Sequence, residues 1–140
     1  MKLDVFEIIK KVGETNSKNG KIKLLKDNES WALKDVLKGT YDDGIVWLLP
    51  EGDPPYTPSA EDSYPSSLNK VHKNFKAVVK GGTGSKLPAF RREKIFLGFL
   101  ESVHPEDAKI LLLMKDKKQL AKGLTKKLVE ETFPGLLAMK

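Results

Sequence analysis

The chain reads as an all-α protein: one compact domain of six or seven short helices. Apolar residues recur at the three- and four-residue spacings of a single helix face. Capping residues open these runs, and glycine or proline closes them. The joints between the first three runs are short, which favours antiparallel neighbours.

The first helix is expected over about 4–14. Val5, Ile8, Ile9 and Val12 form its stripe, Asp4 caps it, and Gly13 with Asn16 marks its end. Ser17 opens a second helix through Lys26, with Ile22, Leu24 and Leu25 inward and Lys18, Lys21, Lys23 and Lys26 on the other face. Asn28 opens a third, carrying Trp31, Leu33, Val36 and Leu37 and closed by Gly39. Five prolines then punctuate residues 50–65, which rules out regular helix there. The apolar run 45–49 pins the start of this acidic loop to the core. Ser67 caps a fourth helix over 68–80 with Val71, Phe75 and Val78 inward and Lys70, Lys73, Lys76 and Lys80 outward. GGTGSK at 81–86 ends it. Pro88 begins a fifth helix to Val103, with Phe90, Ile95, Phe96, Phe99 and Leu100 inward. His104, Pro105, Glu106 and Asp107 open a sixth, whose apolar run Ile110–Met114 makes it the central helix. Thr125 caps the last, which Pro134 and Gly135 stop.

At 140 residues, 39% hydrophobic and 31% charged, the chain is long enough for one domain over 1–140. No apolar run is long enough to span a membrane, and the N-terminal stretch lacks the pattern of a signal peptide. Cysteine is absent, which removes disulfides, thiolate metal sites and cysteine nucleophiles.

Charge is unevenly divided. Residues 1–69 carry 9 Lys/Arg against 12 Asp/Glu, and residues 70–140 carry 16 against 7. Positions 42–62 hold six acids and no lysine or arginine. A basic half joined to an acidic segment points to a polyanion-facing surface and a separate acidic face. A merely solubilising lysine-rich surface is the alternative.

No GxSxG elbow, P-loop or HExxH occurs, and two histidines in unlike settings do not make a metal site. We therefore expect no catalytic residues, metal or cofactor. GGTGSK follows a helix rather than a strand and lacks P-loop spacing, so it is either a plain linker or an amide-rich loop beside phosphate. Asp42–Asp43 before Gly44 reads as turn chemistry. Trp31 and Trp47 read as core, and Tyr56 and Tyr64 as candidate contacts of the proline loop with a protein partner. The basic groups expected to share a surface are Lys86, Arg91 and Arg92 near one helix start, and Lys117, Lys118, Lys122, Lys126 and Lys127 around another. Such contacts hold DNA without reading its bases.

The stretches 6–28, 33–44 and the run 86–136, nearly all the chain except the acidic loop at 45–66, resemble the N-terminal helical DNA-binding domain of ATP-dependent DNA ligases, those of T-even-type phages in particular. The last stretch carries a basic segment, Gly123, Thr125, Lys126, Lys127 and Pro134–Gly135 in the family's order. The resemblance implies a grip on duplex DNA, possible also at a nick, through the minor groove, with amides near Gly123 and Thr125 on phosphates. The nucleotide-accepting KxDG motif is absent, so no ligase catalysis is implied. WLLPEG at 47–52, the run at 100–112 and TKKLVEETFPGL at 125–136 also look like short proteins of T-even-type phages of marine bacteria, which implies action in the cytoplasm of an infected bacterial host. Two functions are expected to compete: non-catalytic binding of duplex DNA with little sequence preference, and docking of the acidic loop on a phage or host replication or transcription protein.

Overall fold

The computed structural model describes residues 3–137; residues 1–2 and 138–140, which the expected domain includes, lie outside them. Among the described residues there are seven α-helices: α1 (Val5–Glu14), α2 (Lys18–Asp27), α3 (Trp31–Tyr41), α4 (Leu68–Val71), α5 (Ala89–Ser102), α6 (Pro105–Lys115) and α7 (Lys126–Thr132). Two 3₁₀ helices, His72–Val78 and Thr83–Lys86, join α4 to α5. No named strand occurs among the described residues. The protein is all-α, as the sequence implies.

α6 is the axis. Its Ala108, Leu111 and Met114 are fully buried, and α1, α3 and α5 pack around it. The Val5, Ile8, Ile9 and Val12 stripe of α1 enters the same continuous core as Leu33, Val36 and Leu37 of α3 and Phe96 and Leu100 of α5. α2 and α7 lie together on the flank, where Lys18 of α2 pairs with Glu131 of α7 at 2.5 Å.

The caps were legible. Ser17 accepts from the Gly20 amide at 3.0 Å, and Thr125 from Leu128 at 3.2 Å. The Nδ1 of His104 accepts from Glu106 at 3.0 Å, so this histidine is a helix cap. The third helix differs from expectation. Ser30, not Asn28, opens it by accepting from Leu33, while the Asn28 amide closes α2 on the Leu24 carbonyl. α3 also runs through Gly39 to Tyr41, because Gly39 serves packing rather than termination. A Cβ there would lie 2.6 Å from Trp47.

The fourth helix is α-helical for one turn only. The backbone beyond it must meet the chain at 46–48: Leu48 donates to Val78 at 2.8 Å and Lys80 to Val46 at 2.9 Å. Gly84 then presses on the Ala77 carbonyl so closely that a Cβ would sit 1.9 Å from it. This approach fixes why the 81–86 run is glycine-rich.

Three side chains depart from the expected burial. Trp31, at the first position of α3, is 72% exposed, and Phe90, at the second position of α5, is 68% exposed. Both stand in a first helical turn beyond the end of the apolar stripe. Lys21, expected on the solvent face, is only 8% exposed.

Candidate nucleic-acid interface

The segment between α6 and α7, taken with the first turn of α7, carries most of the expected phosphate-binding residues. It is irregular but firmly seated. Leu120 and Leu124 are buried, and the Tyr41 hydroxyl bridges them, accepting from the Leu120 amide at 3.2 Å and donating to the Leu124 carbonyl. Burial raises the Tyr41 pKa, so the phenol keeps the proton that it donates. Lys21 holds the other side. Its ammonium donates to the carbonyls of Val12 at 2.6 Å, Thr15, and Lys122 at 3.4 Å. The first two are carbonyls at the C-terminal end of α1, where the helix dipole favours a cation. Gly123 turns at φ 76°, and a Cβ there would reach within 2.8 Å of the Lys21 stem.

This anchoring uses groups from neighbouring helices and leaves the segment's own lysines outside. Lys118, Lys122 and Lys127 are exposed and have no ion pair among the described residues. Lys126 is exposed but meets the Asp43 carboxylate at 3.0 Å, and that hydrogen bond holds its pKa up. The Lys117 ammonium donates to the Asp42 carbonyl at 2.7 Å, and desolvation lowers its pKa against the pull of Asp42 and Asp43. Asp42 also closes the expected turn by accepting from Gly44 at 2.8 Å. Two of the expected phosphate ligands, Lys117 and Lys126, are thus turned toward an acidic turn. Between α2 and the start of α7 lies a notch of 280 Å³ lined by Lys18, Lys21, Gly123, Thr125 and Lys127.

The second basic group stands on a different support, the 3₁₀ segment and the chain at 46–48. Arg92 is consumed internally, donating to the carbonyls of Leu48 at 3.2 Å, Gly84 at 3.1 Å and Leu87. It locks three loops rather than facing solvent. Lys86 and Arg91 remain exposed, flanking Phe90.

The acidic loop is a strap. Lys115 donates to the carbonyls of Pro50 and Gly52, both at 2.9 Å, and pairs with Asp116 at 2.5 Å. Asp116 in turn accepts from the Gly52 amide at 3.2 Å. Glu101 of α5 receives the Thr57 amide at 2.8 Å and the Ser59 hydroxyl at 2.6 Å, and Ser66 donates to Ser102 at 2.7 Å. Tyr56 is half-buried against the core, and burial raises its pKa. Tyr64 sits edge-on against His104, at 5.4 Å between ring centroids. Both tyrosines are half-buried, whereas Glu51, Asp53, Glu61 and Asp62 are exposed.

Sequence reasoning missed the contact between His72 Nδ1 and Asp35 Oδ2 at 2.5 Å, whose members lie 37 residues apart. No local pattern signals such a pair. It also missed Lys21, although a spacing of four from buried Leu25 places it on the inward stripe. Among the described residues, no group of three or more His, Asp or Glu side chains is gathered as a metal site. No helix there is long and apolar enough to cross a membrane.

Across this architecture, residues 8–122 match the model of DUF6433, a family of unknown function. The chain belongs to that family. The match takes in Lys86, Arg91, Arg92, Lys117, Lys118 and Lys122 and ends before α7 with its Lys126 and Lys127. No curated protein matches the chain.

Proposed function

We propose that this protein binds duplex DNA without catalysis, gripping backbone phosphates through the seated segment between α6 and α7. The observation that carries this reading is the trio Lys118, Lys122 and Lys127, exposed cations without carboxylate partners on a backbone held from below by Lys21 and Tyr41. Rigidly presented lysines gain more from a fixed row of phosphates than mobile ones, because less freedom is lost on contact. Lys86 and Arg91 extend the cationic surface, Lys18 is paired with Glu131, and Arg92 and Lys117 act within the fold. The resemblance to the ligase DNA-binding domain supports the same reading, and the phage resemblance suggests the cytoplasm of an infected bacterium as its setting. The competing reading, a protein docking on the strap, rests on the four exposed acids rather than on Tyr56 and Tyr64.

Fluorescence-anisotropy titrations against intact, nicked and single-stranded DNA at two salt concentrations test the proposal. Duplex binding should weaken steeply with salt. Lys122→Glu with Lys127→Glu should weaken it at least tenfold and lower the log–log salt slope by about 2, since each phosphate contact contributes about 0.9. Asp43→Asn, which frees Lys126, should tighten binding a few-fold. Absent binding at low salt, or unchanged binding in the double variant, overturns the reading.

A further inference from the structure

A second site lies away from the lysine-rich segment. α3, the chain at 45–47 and the 3₁₀ helix His72–Val78 enclose an open cleft of 530 Å³. Its floor is apolar: Ile45, Trp47, Phe75 and Val79 line it, and Ile45 and Val79 are only half-buried. Trp47 is immobilised. Its Nε1 donates to the Gly39 carbonyl at 2.8 Å, and its ring meets Phe75 edge-on at 5.5 Å. With its one polar atom satisfied and 9% of its surface exposed, the indole is a fixed apolar part of the cleft floor.

The rim is cationic. Lys73 and Lys76 are three residues apart on a 3₁₀ helix, where side chains at that spacing eclipse, so both stand over the same cleft. Neither has a carboxylate partner among the described residues. Lys38 stands on the opposite wall, 3.9 Å from the buried Asp42 carboxylate. The cleft's own carboxylate, Asp35, is occupied by His72. The His72 Nδ1 meets it at 2.5 Å, and the imidazole is largely buried. Cations outnumber anions here, and they surround an apolar floor. Inorganic phosphate would use the rim alone, and an uncharged ring the floor alone.

We propose that this cleft binds a small molecule that joins a flat apolar ring to a phosphate, a nucleoside monophosphate being the simplest example. The ring lies against Trp47, Ile45 and Val79, and the phosphate is held by Lys73 and Lys76 with Lys38 opposite. This site is separate from the DNA surface and stands whether or not that reading holds.

Trp47 reports on the site directly. The chain has two tryptophans, and Trp31→Phe removes the exposed one without touching the core. In that background, titration with dAMP should change Trp47 emission saturably. Deoxyadenosine and inorganic phosphate should each bind at least about tenfold more weakly, since each supplies one half of the recognition. Lys73→Ala with Lys76→Ala should bring dAMP down to the affinity of deoxyadenosine with the circular dichroism unchanged. Tighter binding of a 5′-phosphorylated oligonucleotide, with the same dependence on both lysines, identifies the natural source as a strand end. Preference for dAMP identifies a free nucleotide, and both uphold the site. No saturable change with dAMP, equal affinity for phosphate alone, or indifference to the lysine substitutions overturns it.

Discussion

The strap over 45–67 and the segment over 116–125 are both irregular chain, and each is held by a buried lysine that donates to backbone carbonyls. Their electrostatics differ. Lys115, beneath the strap, has the Asp116 carboxylate at 2.5 Å, and the chain that it holds is acidic. Lys21, beneath the other segment, has only carbonyls, and the chain that it holds carries Lys118 and Lys122. The strap's anchoring cation is therefore balanced by a carboxylate within the fold, whereas the basic segment's anchor meets only carbonyls and its exposed lysines leave positive charge to be met from outside. On the proposed function, that difference separates an anchored covering from a surface that meets a polyanion.

Removing the lysine under the strap should have the largest effect. Lys115→Met leaves the Asp116 carboxylate buried without its cation and two carbonyls without donors. A loss of about 3–5 kcal/mol is expected, the usual result of breaking a buried pair on one side. Urea unfolding measures it, and amide exchange should quicken first over 50–59, where the anchored backbone lies. Unchanged exchange there would mean that Glu101 and the core contacts alone hold the strap.

The same substitution on the basic side should cost less. Lys21→Met orphans carbonyls that partly retain other partners, since the Thr15 amide also donates to Val12 at 3.2 Å. About 2 kcal/mol is expected, in the range of hydrogen bonds from a charged donor. Its diagnostic consequence is functional: looser chain at 121–124 should weaken DNA binding even though the variant removes a cation that does not face solvent. A loss as large as that of Lys115→Met would contradict the view that carbonyls left by their cation cost less than a buried carboxylate left by its own.

The contrast also marks where sequence reasoning reaches. The helices were legible because stripes such as Val5–Ile8–Ile9–Val12 and caps such as Ser17, His104 and Thr125 are local. The buried lysines lie on stripes too, Lys21 four residues from Leu25 and Lys115 four from Leu111, but residue type argued for solvent. What decides their burial is carbonyls brought from distant chain. The 3₁₀ character of 72–78 has the same origin, since it answers to pairing with 46–48. Of the expected phosphate ligands, the exposed ones could be read from charge. Arg92 could not be excluded from sequence, because its three carbonyl partners belong to loops whose paths are tertiary.

The strap's exit provides the smallest and most specific test. There Tyr64 and Phe6 flank His104, and Asp107 of α6, only 2% exposed, accepts from the Phe6 amide at 3.0 Å. Burial raises the Asp107 pKa from 3.8 to about 7. The Phe6 amide opposes that rise, while the charges of Asp4 and Glu7 on α1 add to it. The raised value fixes the sign. The folded protein holds this proton more tightly than the unfolded chain, so its contribution to stability is complete below about pH 4 and is lost as pH rises through 7. Asp107→Asn keeps an acceptor for Phe6 and removes the titration. Relative to the variant, the native protein should lose roughly 1–2 kcal/mol between pH 6 and pH 8. Urea midpoints at successive pH values measure the difference, and parallel profiles for the two proteins would show that Asp107 ionises without cost. A clear divergence would set this end of the strap apart from the end at Lys115, where the buried charges are paired: one anchorage would be permanent and the other would loosen near neutral pH.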